Sequence, residues 1–411
     1  MSFNPLEQSG VPLADQFRSW RELNVEPVDI EGGDPYTRCR IVVMNGIEVE
    51  SIMFSHQFAR HTDNPEVKRA LALSRRAEQM QQKADNWLLP GSDGPIETTI
   101  VYEQVAVDLT AWLARMEPDP YLKQNYDFGL LEDFDHLYRY ANLLDLTKGK
   151  KAQAITGTVT EIMPGRPNPE EFRHPYDDVR RHYDKHSVDP RSRLHVMTLV
   201  AAEQQTMNYY MNAGNIPTDP LARGLYLEIA MIEEQHVTQY ESLLDPLETW
   251  FEQWLYHEYL EVWLYHSFMT QESDPRVKAI WELHLNMEIE HLKEAARLLA
   301  RYEGKDAREL LPPALPEAMM FEPNKQYVRQ ILAEQIGYRA DGLDIVDVDG
   351  KVTKDTKIYQ ATVNGDGNYS QDVVDLHTER FGADYRLQPE GEHPVDHRMA
   401  IAGDSRDGGA R

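Results

Sequence analysis

Residues 203–236, EQQTMNYYMNAGNIPTDPLARGLYLEIAMIEEQH, and residues 258–291, EYLEVWLYHSFMTQESDPRVKAIWELHLNMEIEH, decide the fold of this chain. Each opens on a lone Glu (Glu203, Glu258) and closes on Glu-x-x-His (Glu233/His236, Glu288/His291), the second Glu 30 residues and the His 33 residues after the first. Positions i and i+3 share one face of a helix, so each Glu-x-x-His aims a carboxylate and an imidazole the same way. Asp219-Pro220 and Asp274-Pro275 lie between. Asp is a favoured helix N-cap, and proline suits the first turn because its missing N–H would be unpaired there anyway. Each stretch therefore reads as a helical hairpin. The lone Glu lies 16 residues before the Asp of the turn and the second Glu 14 after it, so the two meet at nearly the same height on antiparallel helices.

The unit E-x15-[DN]-P-x12-[ED]-x2-[HQ] occurs four times. The two earlier copies carry Glu48, Asn64-Pro65, Glu78 and Gln81, then Glu103, Asp119-Pro120, Asp133 and His136. Copies within a half are 55 residues apart, and the halves match at a constant offset of 155 with no gap. Asp34-Pro35 falls on Asp189-Pro190, and Leu137, Ala141, Leu143 and Leu144 fall on Leu292, Ala296, Leu298 and Leu299. Helices are predicted over about 35–60, 65–88, 95–116 and 120–145, each roughly 37 Å long at 1.5 Å per residue. Four more are predicted to open at Asp189-Pro190, Asp219-Pro220, Asp245-Pro246 and Asp274-Pro275. The expected fold class is all-α, with two tandem four-helix units built from four hairpins and an irregular C-terminal tail. The expected organisation is an extension over 1–33, a first unit over 34–146, a linker over 147–188, a second unit over 189–303 and a C-terminal extension over 304–411.

The chain of 411 residues has 42 basic and 69 acidic side chains, a formal net charge of −27. That argues against binding nucleic acid or anionic membrane, although acidity for solubility explains the charge equally well. Cys39 is the only cysteine, which excludes an intrachain disulfide, a multi-cysteine zinc site and a four-cysteine iron site. No signal peptide is visible, and no apolar run reaches the roughly 18 residues of a membrane span. A cytoplasmic protein is the default expectation.

Four carboxylates and two imidazoles, Glu203, Glu233, His236, Glu258, Glu288 and His291, suit a pair of Fe or Mn ions. Two such ions about 3.5–4 Å apart need bridging oxygens, and Glu233 and Glu288 are the natural bridges. Apolar neighbours on the same faces, Leu199, Val200 and Met207 around Glu203 and Ile229, Val237 and Tyr240 around Glu233, favour a buried site, because an isolated carboxylate there would be costly. In the first half, Gln81 replaces a histidine, Asp133 is a methylene short, and Arg75 could offer charge in place of a metal. The cluster Glu48, Glu78, Gln81, Glu103, Asp133 and His136 is therefore expected to be vestigial or structural. His266 and His284 read as structural histidines, and Trp254, Trp281, Tyr210 and Tyr240 as core aromatics.

Linker histidines His174, His182 and His186 lack matched carboxylates and read as solvated. A helix is predicted over about 324–338. Residues 341–411 read as extended or partly disordered, with a small hairpin from DIVDV to KVT turning at Asp349-Gly350. Only 21 residues separate His236 from Glu258. Hairpins could pair within a half, across halves (Glu103/Asp133/His136 with Glu203/Glu233/His236) or across two chains, and the sequence leaves this open.

The E-x29-E-x2-H spacing resembles the ferritin-like superfamily, most of all the rubrerythrin branch and the single-hairpin encapsulated ferritins. The resemblance covers about 34–145 and 189–303. It departs in lacking rubredoxin cysteines, in Gln81 and Asp133, and in the short link between hairpins. It implies a centre of two Fe or two Mn ions reacting with O2 or H2O2, with a small organic substrate and a homodimer among the arrangements it allows. The expected protein is a ferritin-like di-metal oxidoreductase with one competent and one degenerate half. Its rivals are a ferroxidase without organic substrate, a manganese catalase-like scavenger and a metal-free helical scaffold.

Overall fold

The computed structural model describes residues 3–29, 33–167, 171–348 and 351–395. Among the described residues the regular structure is helical apart from one small hairpin and an isolated bridge between Ile162 and Leu387. Eight long helices follow the repeat: α1 (Tyr36–His61), α2 (Pro65–Trp87), α3 (Pro95–Met116), α4 (Pro120–Lys148), α5 (Pro190–Ala213), α6 (Pro220–Glu241), α7 (Trp250–Gln271) and α8 (Pro275–Glu303). The turn chemistry works as the sequence implies. Asn64, Asp119, Asp219 and Asp274 each accept a hydrogen bond from a backbone N–H in the first turn that follows. Gly149 and Gly304 end α4 and α8 in the left-handed conformation, at φ 62° and 68°, and stand at equivalent positions of the two halves.

One predicted start is wrong. Asp245-Pro246 does not open α7. The helix begins at Trp250, where Thr249 and Glu252 form a capping box, while the Asp245 carboxylate accepts from Leu247 N–H and Lys185 N–H instead. Trp250 is the residue that the 155-residue offset places on Pro95, the first residue of α3. The repeat located the start better than the Asp-Pro dipeptide did.

The helices form four hairpins, α1/α2, α3/α4, α5/α6 and α7/α8. Their first helices pack together: α1 lies against α3, α5 and α7, and α5 against α3 and α7. α1 and α5 approach closely at Gly46, where a Cβ would sit 2.7 Å from Gln205 Nε2 and 3.2 Å from Ala201 O. Among the second helices, α2 meets α8 and α4 meets α6. The halves 34–146 and 189–303 are therefore not two bodies side by side, because each contributes helices to both of the hydrophobic clusters that form the core.

The linker does more than run along the outside. Arg166 N–H donates to Leu131 O on α4 and Gly165 N–H to Asp135, and Glu171, Phe172 and Arg173 are buried. His182 and His186 are exposed. The tail also departs from expectation. After α9 (Lys325–Gln335) come strands β1 (Tyr338–Asp341) and β2 (Asp344–Asp347), then two further helices, α10 (Lys354–Asn364) and α11 (Tyr369–Phe381). DIVD is a strand, but it pairs antiparallel with the preceding YRAD. The turn predicted at Asp349-Gly350 lies outside the described residues. α11 packs on α4 and α6 of the same chain, anchored where Glu228 accepts from Tyr369 N–H and Ser370 N–H. Among the described residues no helix is long and apolar enough to cross a membrane.

Candidate metal centres

Hairpins pair across the halves. α3/α4 face α5/α6 around one buried cluster, and α1/α2 face α7/α8 around another. The six second-half residues Glu203, Glu233, His236, Glu258, Glu288 and His291 do not converge on one site. The first three join the α3/α4 set, and the last three join the α1/α2 set. Glu103, Asp133 and His136 likewise part from Glu48, Glu78 and Gln81. The reason lies in the chain path: the short link from α6 to α7 does not turn these two hairpins face to face. A 155-residue shift carries each pairing onto the other, so the two centres are counterparts under the internal repeat.

Centre I holds Asp133, Glu203, Glu233 and His236 in one group and Glu103, His136 and Glu233 in a second, with the donor atoms of each group within 4.8 Å of one another. An octahedral ion held at about 2.1 Å needs neighbouring donors roughly 3 Å apart and opposite ones about 4.2 Å apart, so each group is near a coordination shell in size. Glu233 belongs to both groups, as a bridge would. His136 Nδ1 stands 3.0 Å from Glu233 Oε1 and 3.9 Å from Glu103 Oε2. His236 Nδ1 lies 3.3 Å from Glu233 Oε2, 3.3 Å from Asp133 Oδ1 and 3.6 Å from Glu203 Oε2.

The outer ring nitrogens are held from behind. His136 Nε2 lies 3.1 Å from Glu171 Oε2, and His236 Nε2 lies 2.7 Å from Glu132 Oε2. Glu132 is in turn paired with Arg173 at 2.7 Å and Arg166 at 3.5 Å. A carboxylate on one imidazole nitrogen fixes the ring so that the other offers its lone pair inward, the usual support of a metal-binding histidine. Tyr210 O–H donates to Glu103, and Tyr240, one turn after His236, sets its hydroxyl against Gly129, where a Cβ would have no room.

All these groups are buried, and their charges conflict. Burial, with neighbouring carboxylates, pushes Glu103 and Asp133 well up and Glu203 to about 7. Burial would raise Glu132 too, but Arg173, His236 and Arg166 outweigh it and hold it at about 2. Burial favours neutral His136 and His236, yet the carboxylates around them raise both well above the ordinary histidine range. Central Glu233 is lowered despite its burial, by the two imidazoles. With protein groups alone, protons must offset the crowded negative charge. Glu103 Oε2, both oxygens of Asp133 and of Glu233, and the two inward Nδ1 atoms have no hydrogen-bond partner of good geometry. Such buried acceptors are costly unless something fills the space between them. Four carboxylates carry four negative charges and two divalent ions four positive ones, so a metal pair fits the donor set.

Centre II holds Glu78, Glu258, Glu261 and His291 in one group and Glu48, Glu261 and Glu288 in a second. His291 Nδ1 is 2.8 Å from Glu288 Oε2, 3.6 Å from Glu258 Oε2 and 3.8 Å from Glu78 Oε1. Its Nε2 meets Gln16 Oε1 at 2.6 Å, and Gln16 is itself held by Val11 O and Met287 O. Gln81, at the position of a histidine, donates to Glu288 Oε1 at 2.5 Å. Trp254 N–H donates to Glu258 at 2.5 Å, and Tyr265 O–H lies 2.5 Å from Glu48 and 2.9 Å from Asp85. His284 Nδ1 lies 3.1 Å from Asp85, while the His266 ring packs on Phe3. Arg75 donates to Ser55 and not to the cluster. Burial lifts Glu78 to about 7 and Glu48, Glu258 and Glu261 well above their ordinary value.

Sequence reading missed Glu132, Glu171, Arg173, Gln16 and Glu261. Glu261 left a trace, one turn after Glu258 on the same face. Glu132 could be read only as a neighbour of Asp133, and Glu171 and Gln16 come from segments without periodicity. No family model, curated protein or solved structure matches this chain.

Proposed function

We propose that centre I is a di-iron or di-manganese centre of ferritin-like type and that the protein is an oxidoreductase reacting with O2 or peroxide. One observation carries the reading. Glu103, Asp133, His136, Glu203, Glu233 and His236 point inward from four helices, Glu233 is shared, and each imidazole is braced from behind by a buried carboxylate. Bound there, such a metal pair supplies two-electron redox chemistry toward dioxygen or peroxide.

The residues around it have separable tasks. Glu233 would bridge, Glu103, Asp133 and Glu203 would bind the outer faces, and His136 and His236 would each serve one ion through Nδ1. Glu171 and Glu132 keep those nitrogens turned inward, and Arg173 and Arg166 keep Glu132 ionised for the task. Tyr210 spans from Glu103 to a surface cavity of about 640 Å³, lined by Tyr226, Gly224, Leu227, Met231 and Tyr369 as well. Its hydroxyl can give a proton to, or take one from, the Glu103 carboxylate. The cavity is largely apolar and suits a small organic substrate or reductant approaching from the α5–α6 side.

The test is metal analysis of protein supplied with Fe(II) or Mn(II), with O2 consumption followed on the reduced iron-loaded form, beside Glu233→Ala and His236→Ala. Both variants are expected to lose roughly two ions per chain and the O2 reaction. Unchanged metal content in both sinks the assignment.

A further inference from the structure

Centre II departs from its counterpart in a chemically directed way. Gln81 stands where centre I has His236, and an extra carboxylate, Glu261, stands in the middle. Glu261 is shared by both groups of donors, so the bridging role has moved from the repeat's Glu-x-x-His to a residue one turn along α7. The two groups are also unlike each other. Glu78, Glu258, Glu261 and His291 form one of oxygen and nitrogen; Glu48, Glu261 and Glu288 form one of carboxylate oxygen alone.

These groups do not look like a bundle that has merely discarded its metal. Five carboxylates, Glu48, Glu78, Glu258, Glu261 and Glu288, are buried to within 1% of complete enclosure. Among the described residues no Lys or Arg forms an ion pair with any of them; His291 alone does. The inward carboxylates of centre I likewise pair only with histidines, and its two arginines stand one layer back, on the bracing Glu132. A metal-free scaffold would bring in such cations or replace the acids, because uncompensated buried carboxylates are strongly destabilising. A second observation is independent of the acids. The Gln81 amide is 1% exposed, gives its N–H to Glu288, and leaves its Oε1 without a partner; both oxygens of Glu261, which lies beside Glu288, likewise have no hydrogen-bond partner of good geometry. An amide oxygen and carboxylate oxygens with nothing to accept from are what a hard cation requires.

We propose that centre II is a second two-cation site, bridged by Glu261, whose all-oxygen subsite of Glu48, Glu261 and Glu288 takes a hard divalent cation of the Mn2+ or Mg2+ class. The His291 subsite accepts the same ion or a softer one. On this reading the duplicated bundle keeps two non-equivalent metal sites, one nitrogen-rich in each subsite and one with a subsite free of nitrogen.

The experiment uses the full chain stripped with chelator and re-loaded with Mn2+, its bound metal counted by elemental analysis and followed by the Mn2+ resonance signal. A His136→Ala/His236→Ala chain disables centre I and leaves centre II intact. It is expected to keep roughly half the Mn2+ of the parent, and excess Mg2+ is expected to displace part of that remainder. Adding Glu261→Gln, close in shape but uncharged, is expected to abolish it. The proposal is overturned if the double-histidine chain binds no Mn2+, if Glu261→Gln leaves its Mn2+ unchanged, or if Mg2+ in large excess displaces none. Should a variant fail to fold, anomalous diffraction from Mn2+-soaked crystals of the unaltered chain decides: a peak among Glu48, Glu261 and Glu288 supports the site, and its absence removes it. Failure of the centre I reading would look different, as a double-histidine chain that keeps the whole metal content of the parent.

Discussion

At the scale of single residues, the two centres are sets of acids that cannot all ionise together. Burial, joined by crowding, raises Glu203 and Glu78 to about 7. A metal ligand must be deprotonated, so cation uptake displaces protons from these carboxyls. Metal affinity is therefore expected to rise with pH through about 7, with proton release on Mn2+ addition detectable by calorimetry in two buffers of different ionisation heat. The same shifts set the pH behaviour of the metal-free protein. A carboxyl whose folded value is raised contributes stability at low pH and loses it as pH rises through that value. Metal-free protein should thus lose stability between about pH 4.5 and 7, and the gain in melting temperature on adding Mn2+ should grow over that window. A gain that does not vary with pH would contradict the assigned carboxyls. Behind the ligands, Glu171→Gln keeps the shape but weakens the hold on His136 Nε2. It is expected to lower centre I affinity roughly 10–100-fold, as for other groups that orient a metal-bound histidine, with little change in helix content by circular dichroism.

Helices and connections decide which donors meet. The linker reaches centre I because Gly165 lets its backbone lie on α4. A Cβ there would be 2.3 Å from Leu131 O and 2.6 Å from Asp135 N. Gly165→Ala is expected to cost about 1–3 kcal/mol by overpacking and, by lifting Glu171 and Arg173 away, to weaken centre I while sparing centre II. Urea unfolding beside a metal titration separates the two effects. At the start of α7, the capping box of Thr249 and Glu252 carries the helix that brings Glu258 and Glu261 inward. Thr249→Ala should cost about 1 kcal/mol, typical of a lost N-cap, with the metal sites retained.

Across the whole molecule, each candidate centre straddles both halves, so metal bound there would tie the first half to the second. Each centre joins helices that are far apart in sequence, and ions that bind only the folded arrangement stabilise the chain as a whole. Free Mn2+ at about 100 times the dissociation constant is expected to add about 2.7 kcal/mol per site. The effect should appear as one cooperative transition moving upward in a thermal melt. Two transitions, with only the later half responding to metal, would mean that the halves fold and bind separately.

The sequence by itself determined the eight helices, the caps of those that open at Asn-Pro or Asp-Pro apart from the misread Asp245-Pro246, the fourfold unit and the burial of its acids and imidazoles, because these are local matters. Period 3.6 puts Glu233 and His236 on one face, and an Asp or Asn before proline both caps and turns. It also held most of the donors of each hairpin, down to Gln81 and Asp133, but not Glu261. Only the tertiary structure decided that hairpins pair across the halves, which moved Glu103, Asp133 and His136 from a supposed remnant into the fuller set. A repeat at constant offset is satisfied equally by either pairing, and the choice rests on packing of α1, α3, α5 and α7 and on the short path between α6 and α7. Glu171, Arg173 and Gln16 were likewise beyond reach, since segments without periodicity are placed by the surface they dock on and not by their own pattern.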